Sequence, residues 1–113
     1  MSYSKFDRPS AQRRALLRSL VTSLLDKERI VTTHAKAREA QALAEKMITL
    51  AKEDNLAARR RALAFLTSET VTKKLFETLG PRYAHKTGGY SRVILLGSRR
   101  GDGAPMALVE LIR

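Results

Sequence analysis

The sequence predicts an α+β fold: a single small domain with helices packed on one side of a small, about three-stranded mixed sheet, preceded by a basic N-terminal arm. Apolar residues recur at three- and four-residue spacing as far as Leu79, the period of helices that bury one stripe. Beyond Gly89 the chain changes to short aliphatic and β-branched runs joined by a glycine-rich connection, the pattern of a β-hairpin. With 113 residues, 43% of them apolar, and no internal repeat, there is material for one modest core.

Residues 1–9 have no helical period, carry Lys5 and Arg8 against Asp7, and end in Pro9, which biases Arg8 toward extended geometry. They read as the arm, and residues 10–113 as the folded domain. Ser10 is placed to cap a first helix whose Leu17, Leu20, Val21 and Leu24 form a stripe widened by Leu16 and Leu25. On its flank Arg14 and Arg18 stand one turn apart. Like charges at that spacing cost roughly a few tenths of a kcal/mol in an isolated helix, so the pair suits an anion better than water.

Residues 28–33 are short and β-branched and predict a strand, with Thr32 or Thr33 capping the next helix. Ala40, Leu43, Ala44, Met47, Ile48 and Ala51 make the apolar stripe of that second helix, while Lys36, Glu39, Glu45, Lys46, Lys52 and Glu53 read as an ordinary solvated face. Asp54 or Asn55 starts a third helix through Leu66, built on Leu56, Leu63, Phe65 and alanines. It carries Arg59, Arg60 and Arg61, which fan over about 200° of helix surface, so only one or two can meet a flat partner. A fourth helix, capped by Thr67 or Ser68 and carrying Val71, Leu75 and Leu79, is expected to stop at Gly80-Pro81. Two strands, residues 90–96 and 106–112, follow, joined by residues 97–105. Val93, Leu95, Ala107, Val109 and Leu111 are expected to face the helices, with Tyr90 and Arg92 on the outer face.

The charge points to a polyanion. The net charge is +11, and between Leu79 and Asp102 there is no acidic side chain while Arg82, Lys86, Arg92, Arg99 and Arg100 are interleaved with Tyr83, Tyr90 and Gly88-Gly89. A solvated face mixes both signs to limit self-repulsion, so this profile favours phosphate contact over an anionic membrane or an acidic protein. The expected RNA contacts are Lys5 and Arg8 in the arm and Arg13, Arg14 and Arg18 on the first helix. Lys36, Arg59 and Arg60 join them from the middle of the chain, and Arg82, Tyr83, Lys86, Tyr90, Arg92, Arg99 and Arg100 from the C-terminal part.

Catalysis has no support in the sequence. Cysteine is absent, which excludes a disulfide framework and a thiolate zinc site, and no apolar run approaches the roughly 18–20 residues that span a bilayer. His34 and His85 lack metal-ligand spacing, and no phosphate loop of the Gly-x-x-x-x-Gly-Lys type exists. No cofactor, metal or small-molecule substrate is expected. An RNA-processing enzyme would need an acid-base or metal cluster that is missing. A nucleoid-associated or other non-ribosomal nucleic-acid-binding protein would share the charge, but the middle helices lack the short glycine-bearing turn of a helix-turn-helix.

Three C-terminal motifs carry a family resemblance: Gly80-Pro81-Arg82-Tyr83-Ala84, Gly88-Gly89-Tyr90-Ser91-Arg92, and the run from Arg99 through Met106. They resemble the C-terminal half of ribosomal protein seventeen of the bacterial large subunit. Ala11-Gln12-Arg13-Arg14-Ala15-Leu16-Leu17-Arg18, Arg29-Ile30-Val31-Thr32-Thr33, Ala35-Lys36-Ala37-Arg38-Glu39 and Asn55-Leu56-Ala57-Ala58-Arg59-Arg60 resemble that family in the same order. The resemblance implies a structural constituent of the cytoplasmic large ribosomal subunit, without cofactor or catalytic residues. It would bind large-subunit ribosomal RNA near the exit-tunnel region, support assembly and translation, and touch neighbouring proteins that include protein thirty-two. The arm departs from the family pattern, with Asp7 where glycine is common and Ser4 where a basic residue is common.

Overall fold

A computed structural model describes residues 10–113. The leucine stripe of the first segment folds into α1 (Ser10–Lys27), which buries Val21, Leu24 and Leu25 while Leu17 and Leu20 pack against the core. Its N-cap, like the expected arm contacts Lys5 and Arg8, lies outside the described residues. Glu28, in the left-handed region at φ 69°, turns the chain into β1 (Arg29–Thr33). Thr33 is extended, and its hydroxyl accepts from the Lys36 amide at the start of α2 (His34–Glu53). Here the expected stripe appears as Ala37, Ala40, Ala44, Ile48 and Ala51, all buried, with Leu43 and Met47 packed alongside. Small residues at these positions let α2 lie close against β3 and the adjoining strand.

Asp54 ends α2 in the left-handed region, and the Asn55 side chain accepts from Ala58 N at 2.8 Å to start α3 (Leu56–Leu66). Ala58, Ala62 and Leu66 are its buried face, whereas Leu56 and Leu63, expected in the core, are exposed. The alanine face permits closer helix packing than the leucine face would, so the leucines are turned to the flank. Ser68 caps α4 (Glu69–Lys74), which runs on through a π-helical turn (Leu75–Leu79) into α5 (Gly80–Arg82). The helix therefore does not stop at Gly80-Pro81. Gly80 is right-handed helical at φ −55°, and a Cβ there would sit 3.2 Å from the Ala51 carbonyl oxygen. The glycine permits close approach to α2 rather than ending the helix.

The sheet order is β1-β3-β2, with β2 (Ser91–Ser98) and β3 (Pro105–Leu111) as the hairpin. Ile30 and Val93 both stand opposite Val109, and both pairings are antiparallel, so the sheet is wholly antiparallel rather than mixed. Direction could not be read from local pattern because β1 meets its partner from the far end of the chain. Ala107, Val109 and Leu111 face the helices as expected, and Val93 packs on the core. Leu95 does not: it lies beyond the helical cover and is 64% exposed.

Two polar side chains of α2 fasten the hairpin. Glu45 accepts from both the amide and the hydroxyl of buried Ser91, at 3.1 and 2.7 Å. Lys52 donates to the Tyr90 hydroxyl at 3.0 Å and to the Lys86 carbonyl. Both were expected on a merely solvated face. Truncating one partner strands the other's buried donors, so Glu45→Ala should cost about 1–3 kcal/mol in urea unfolding. Glu53→Ala, at an exposed position on the same helix, should cost about 0.5 kcal/mol or less.

Candidate nucleic-acid interface

The expected contacts divide into residues the fold presents and residues it uses internally. Arg14 and Arg18 are exposed on α1, and neither has a carboxylate within ion-pair distance among the described residues. Arg13, Arg14 and Lys36 line one cleft of about 260 Å³ between α1 and the start of α2, where Glu39 pairs loosely with Arg13 at 3.7 Å. Thr33 caps α2 there, so the helix end is fixed beside the cations.

Arg18 lies 5.7 Å from the centre of the Phe65 ring, which steadies its guanidinium beside a groove of about 450 Å³. Ser19, Thr22, Ser23, Thr67 and Ser68 contribute to that groove's lining. Thr22 and Thr67 donate to the Arg18 and Leu66 carbonyls, so the Arg18 guanidinium and the hydroxyls of Ser19, Ser23 and Ser68 are what this concave surface offers to phosphate and ribose oxygens. Sequence reasoning missed these hydroxyls. The local signal was that Ser19 and Ser23 stand one turn apart on α1; Thr67 and Ser68 reach the groove only through the fold.

The triple-arginine run fans as expected. Arg59 is held by Asp54 at 2.9 Å and stacks 5.1 Å from the Phe76 ring centre, while Arg60 and Arg61 are exposed. At the hairpin tip, Arg99 pairs with Asp102 at 2.6 Å, and Asp102 also accepts from the Ala104 amide at 3.1 Å. The Arg99 guanidinium and the Ala104 amide hold the Asp102 carboxyl well below the usual carboxylate range, and that carboxylate in turn raises Arg99. The loop is thereby preshaped, and Arg100 is exposed at its turn without a carboxylate partner among the described residues. Lys86 is exposed in the preceding loop, and Arg92 is exposed but paired with Glu110 at 2.8 Å.

Three of the expected contact residues are used inside the fold instead. Tyr83 and Tyr90 are 4% and 1% exposed, with ring centres 5.1 Å apart inside the core. Tyr83 donates its hydroxyl proton to the Ile112 carbonyl, and Tyr90 accepts from Lys52, which lowers the Tyr90 phenol from its ordinary value, with Thr49 adding to the effect. Tyr90 therefore faces the helices, not the outer face, and neither ring can stack on a base. Arg82 is a buried-side clamp: its two terminal nitrogens donate to Glu28 at 2.6 and 3.1 Å. Lys74 joins the same carboxylate at 3.0 Å and Arg113 at 3.6 Å. The Arg82 hydrogen bonds, helped by Lys74, pull the Glu28 carboxyl down to about 2, and the carboxylate pushes Arg82 up.

Among the described residues no group of His, Asp or Glu is arranged to hold a metal ion, and no helix is long and apolar enough to cross a membrane. The concave surfaces among the described residues are open grooves; that beside Arg18 is lined by one cation, hydroxyls and aliphatics, whereas the others also carry carboxylates such as Glu39, Glu69 and Glu77.

Comparison with known proteins identifies the family. The chain matches the family model described as "Ribosomal protein L17" over residues 16–112. It is 58% identical over 112 residues, covering 99% of the chain and 100% of the relative, to the large ribosomal subunit protein bL17 of Caldanaerobacter subterraneus subsp. tengcongensis. It is 56% identical to proteins of the same name from Natranaerobius thermophilus, over 99% of each chain, and Symbiobacterium thermophilum, over 97% of each. With one family matched across nearly the whole described fold, and relatives of closely similar length sharing more than half its residues, this chain belongs to the ribosomal protein L17 family.

Proposed function

We propose that the protein is a structural constituent of the large ribosomal subunit that binds large-subunit ribosomal RNA through the outer face of α1 and the hairpin tip. The L17 family is a structural component of the ribosome, not a family of enzymes. The observation that carries the RNA reading is the pair Arg14 and Arg18, exposed one turn apart and flanked by the hydroxyl-lined groove. Two uncompensated cations in that position are disfavoured in water and favoured against phosphate. In this reading the protein supports assembly of the subunit and translation in the cytoplasm. It sits beside neighbouring proteins that include protein thirty-two, and Lys5 and Arg8 extend the contact from the arm.

Binding to a large-subunit ribosomal RNA fragment should weaken steeply with salt, with a slope of roughly −0.7 to −0.9 in log K against log salt for each phosphate neutralised. A flat salt response, or equal affinity for generic duplex DNA, would count against the reading. The preshaped hairpin gives a second test. Arg99→Ala with Arg100→Ala should reduce competitive incorporation into subunits more than Arg60→Ala with Arg61→Ala, because Arg60 and Arg61 point in different directions around α3. The reverse order would remove the hairpin tip from the interface.

A further inference from the structure

The sheet side of the domain differs in chemistry from α1. On β2, Ile94, Leu95 and Leu96 are 41%, 64% and 53% exposed in succession. Consecutive strand residues point to opposite faces, so this run leaves both faces of β2 bare at once. β2 is also an edge strand, paired to β3 on one side only, with a bulge between Leu95 and Gly97. Across the outer face Val31 and Ile94 flank Leu108 in register, continuing the aliphatic surface over all three strands. An exposed aliphatic edge of this kind is a template for strand pairing, which natural proteins cover or blunt with charge.

We propose that β2 is a docking edge for an extended aliphatic segment of another polypeptide in the large subunit, added as a fourth strand beside β2. This rests on the ribosomal reading above. An added strand covers Ile94 and Leu95 together, whereas a flat body laid on the outer face covers only one of them. Phosphate gains nothing from three aliphatic side chains.

A second copy of this chain is opposed by charge. Each copy carries +11, and antiparallel pairing of β2 with itself about Leu95 would bring Arg92 of one copy opposite Ser98 and next to Arg99 of the other, while the nearby carboxylates Glu110 and Asp102 are already engaged by those arginines within each copy and can bridge nothing across the seam. Arg100, exposed at the adjoining tip without a carboxylate partner among the described residues, defines the complement: a strand with aliphatic side chains at its centre and a carboxylate near an end.

Photo-crosslinking in purified large subunits tests this directly, with p-benzoylphenylalanine in place of Ile94 in the full chain and, separately, in place of Arg14. The Ile94 probe should give a protease-sensitive, ribonuclease-resistant adduct to a single extended peptide of another subunit protein, while the Arg14 probe gives an RNA adduct. An Ile94 adduct to RNA, to a second copy of this chain, or to nothing would overturn the docking edge. Loss of the Arg14–RNA adduct with the Ile94–peptide adduct intact would instead overturn the RNA reading. As a second measurement, Ile94→Asn with Leu96→Asn, which removes the aliphatic surface without adding charge, should leave affinity for free ribosomal RNA within about twofold while lowering occupancy in assembled subunits at least about fivefold. Unchanged occupancy would overturn the proposal.

Discussion

Replacing Glu28 with alanine is expected to destabilise the protein by about 2–3 kcal/mol, a loss comparable to truncating a buried leucine of the core. One carboxylate ties together the end of α1, the helical segment through Lys74 and Arg82, and the C-terminal Arg113. Its backbone carbonyl also accepts from Leu111 N at 2.9 Å. Removing the carboxylate leaves Arg82 and Lys74, both largely covered, facing each other without a counter-charge. Glu28→Gln keeps the shape and loses the charge, and should recover only part of the loss. Because Glu28 in the fold titrates near 2 rather than its ordinary 4.5, its contribution is fully present above about pH 4.5 and is lost as pH falls toward 2. The stability difference between the native protein and Glu28→Gln, followed by urea unfolding, should therefore be constant from pH 5 to 7 and shrink below that. A difference that grows on acidification would show that the carboxylate is not clamped.

The second large effect is on binding. Arg14→Ala with Arg18→Ala should weaken binding to the ribosomal RNA fragment at least about tenfold and reduce the salt slope by roughly 1.4 to 1.8, the share of two phosphates. Thermal stability should change little, since both side chains are exposed. Arg82→Ala should do the opposite, lowering stability while leaving the salt slope unchanged, because its charge is already committed to Glu28. An equal loss of slope from both substitutions would mean that total charge, and not the α1 surface, governs recognition.

What was legible in the sequence was whatever repeats locally. The leucine stripe of α1 and the alanine-rich stripe of α2 declare their period within a few turns, and Thr33, Asn55 and Ser68 cap the helices that follow them. The tyrosines were misread because Tyr83 and Tyr90 sit in aperiodic, basic segments where nothing local tells a core residue from a stacking one. Their burial depends on Lys52 and Ile112, which are distant in the chain. Arg82 was misread for the same reason: its counter-charge, Glu28, lies 54 residues away. Leu56 and Leu63 looked like core by composition, and only the packing of α3 through Ala58 and Ala62 decides otherwise. The exposure of Arg14, Arg18 and Arg100 was readable because these cations sit on faces away from the apolar stripes, while the hydroxyl groove beside Arg18 required the packing of α1 on the α3–α4 junction.

The claim that the outer face of α1 and the hairpin tip meet ribosomal RNA, while the aromatic pair does not, is tested most directly by mapping RNA–peptide crosslinks on purified large subunits. The account predicts adducts on peptides from residues 10–27 and 99–104 and none on Tyr83 or Tyr90. Adducts on those tyrosines, with residues 10–27 unmodified, would contradict it.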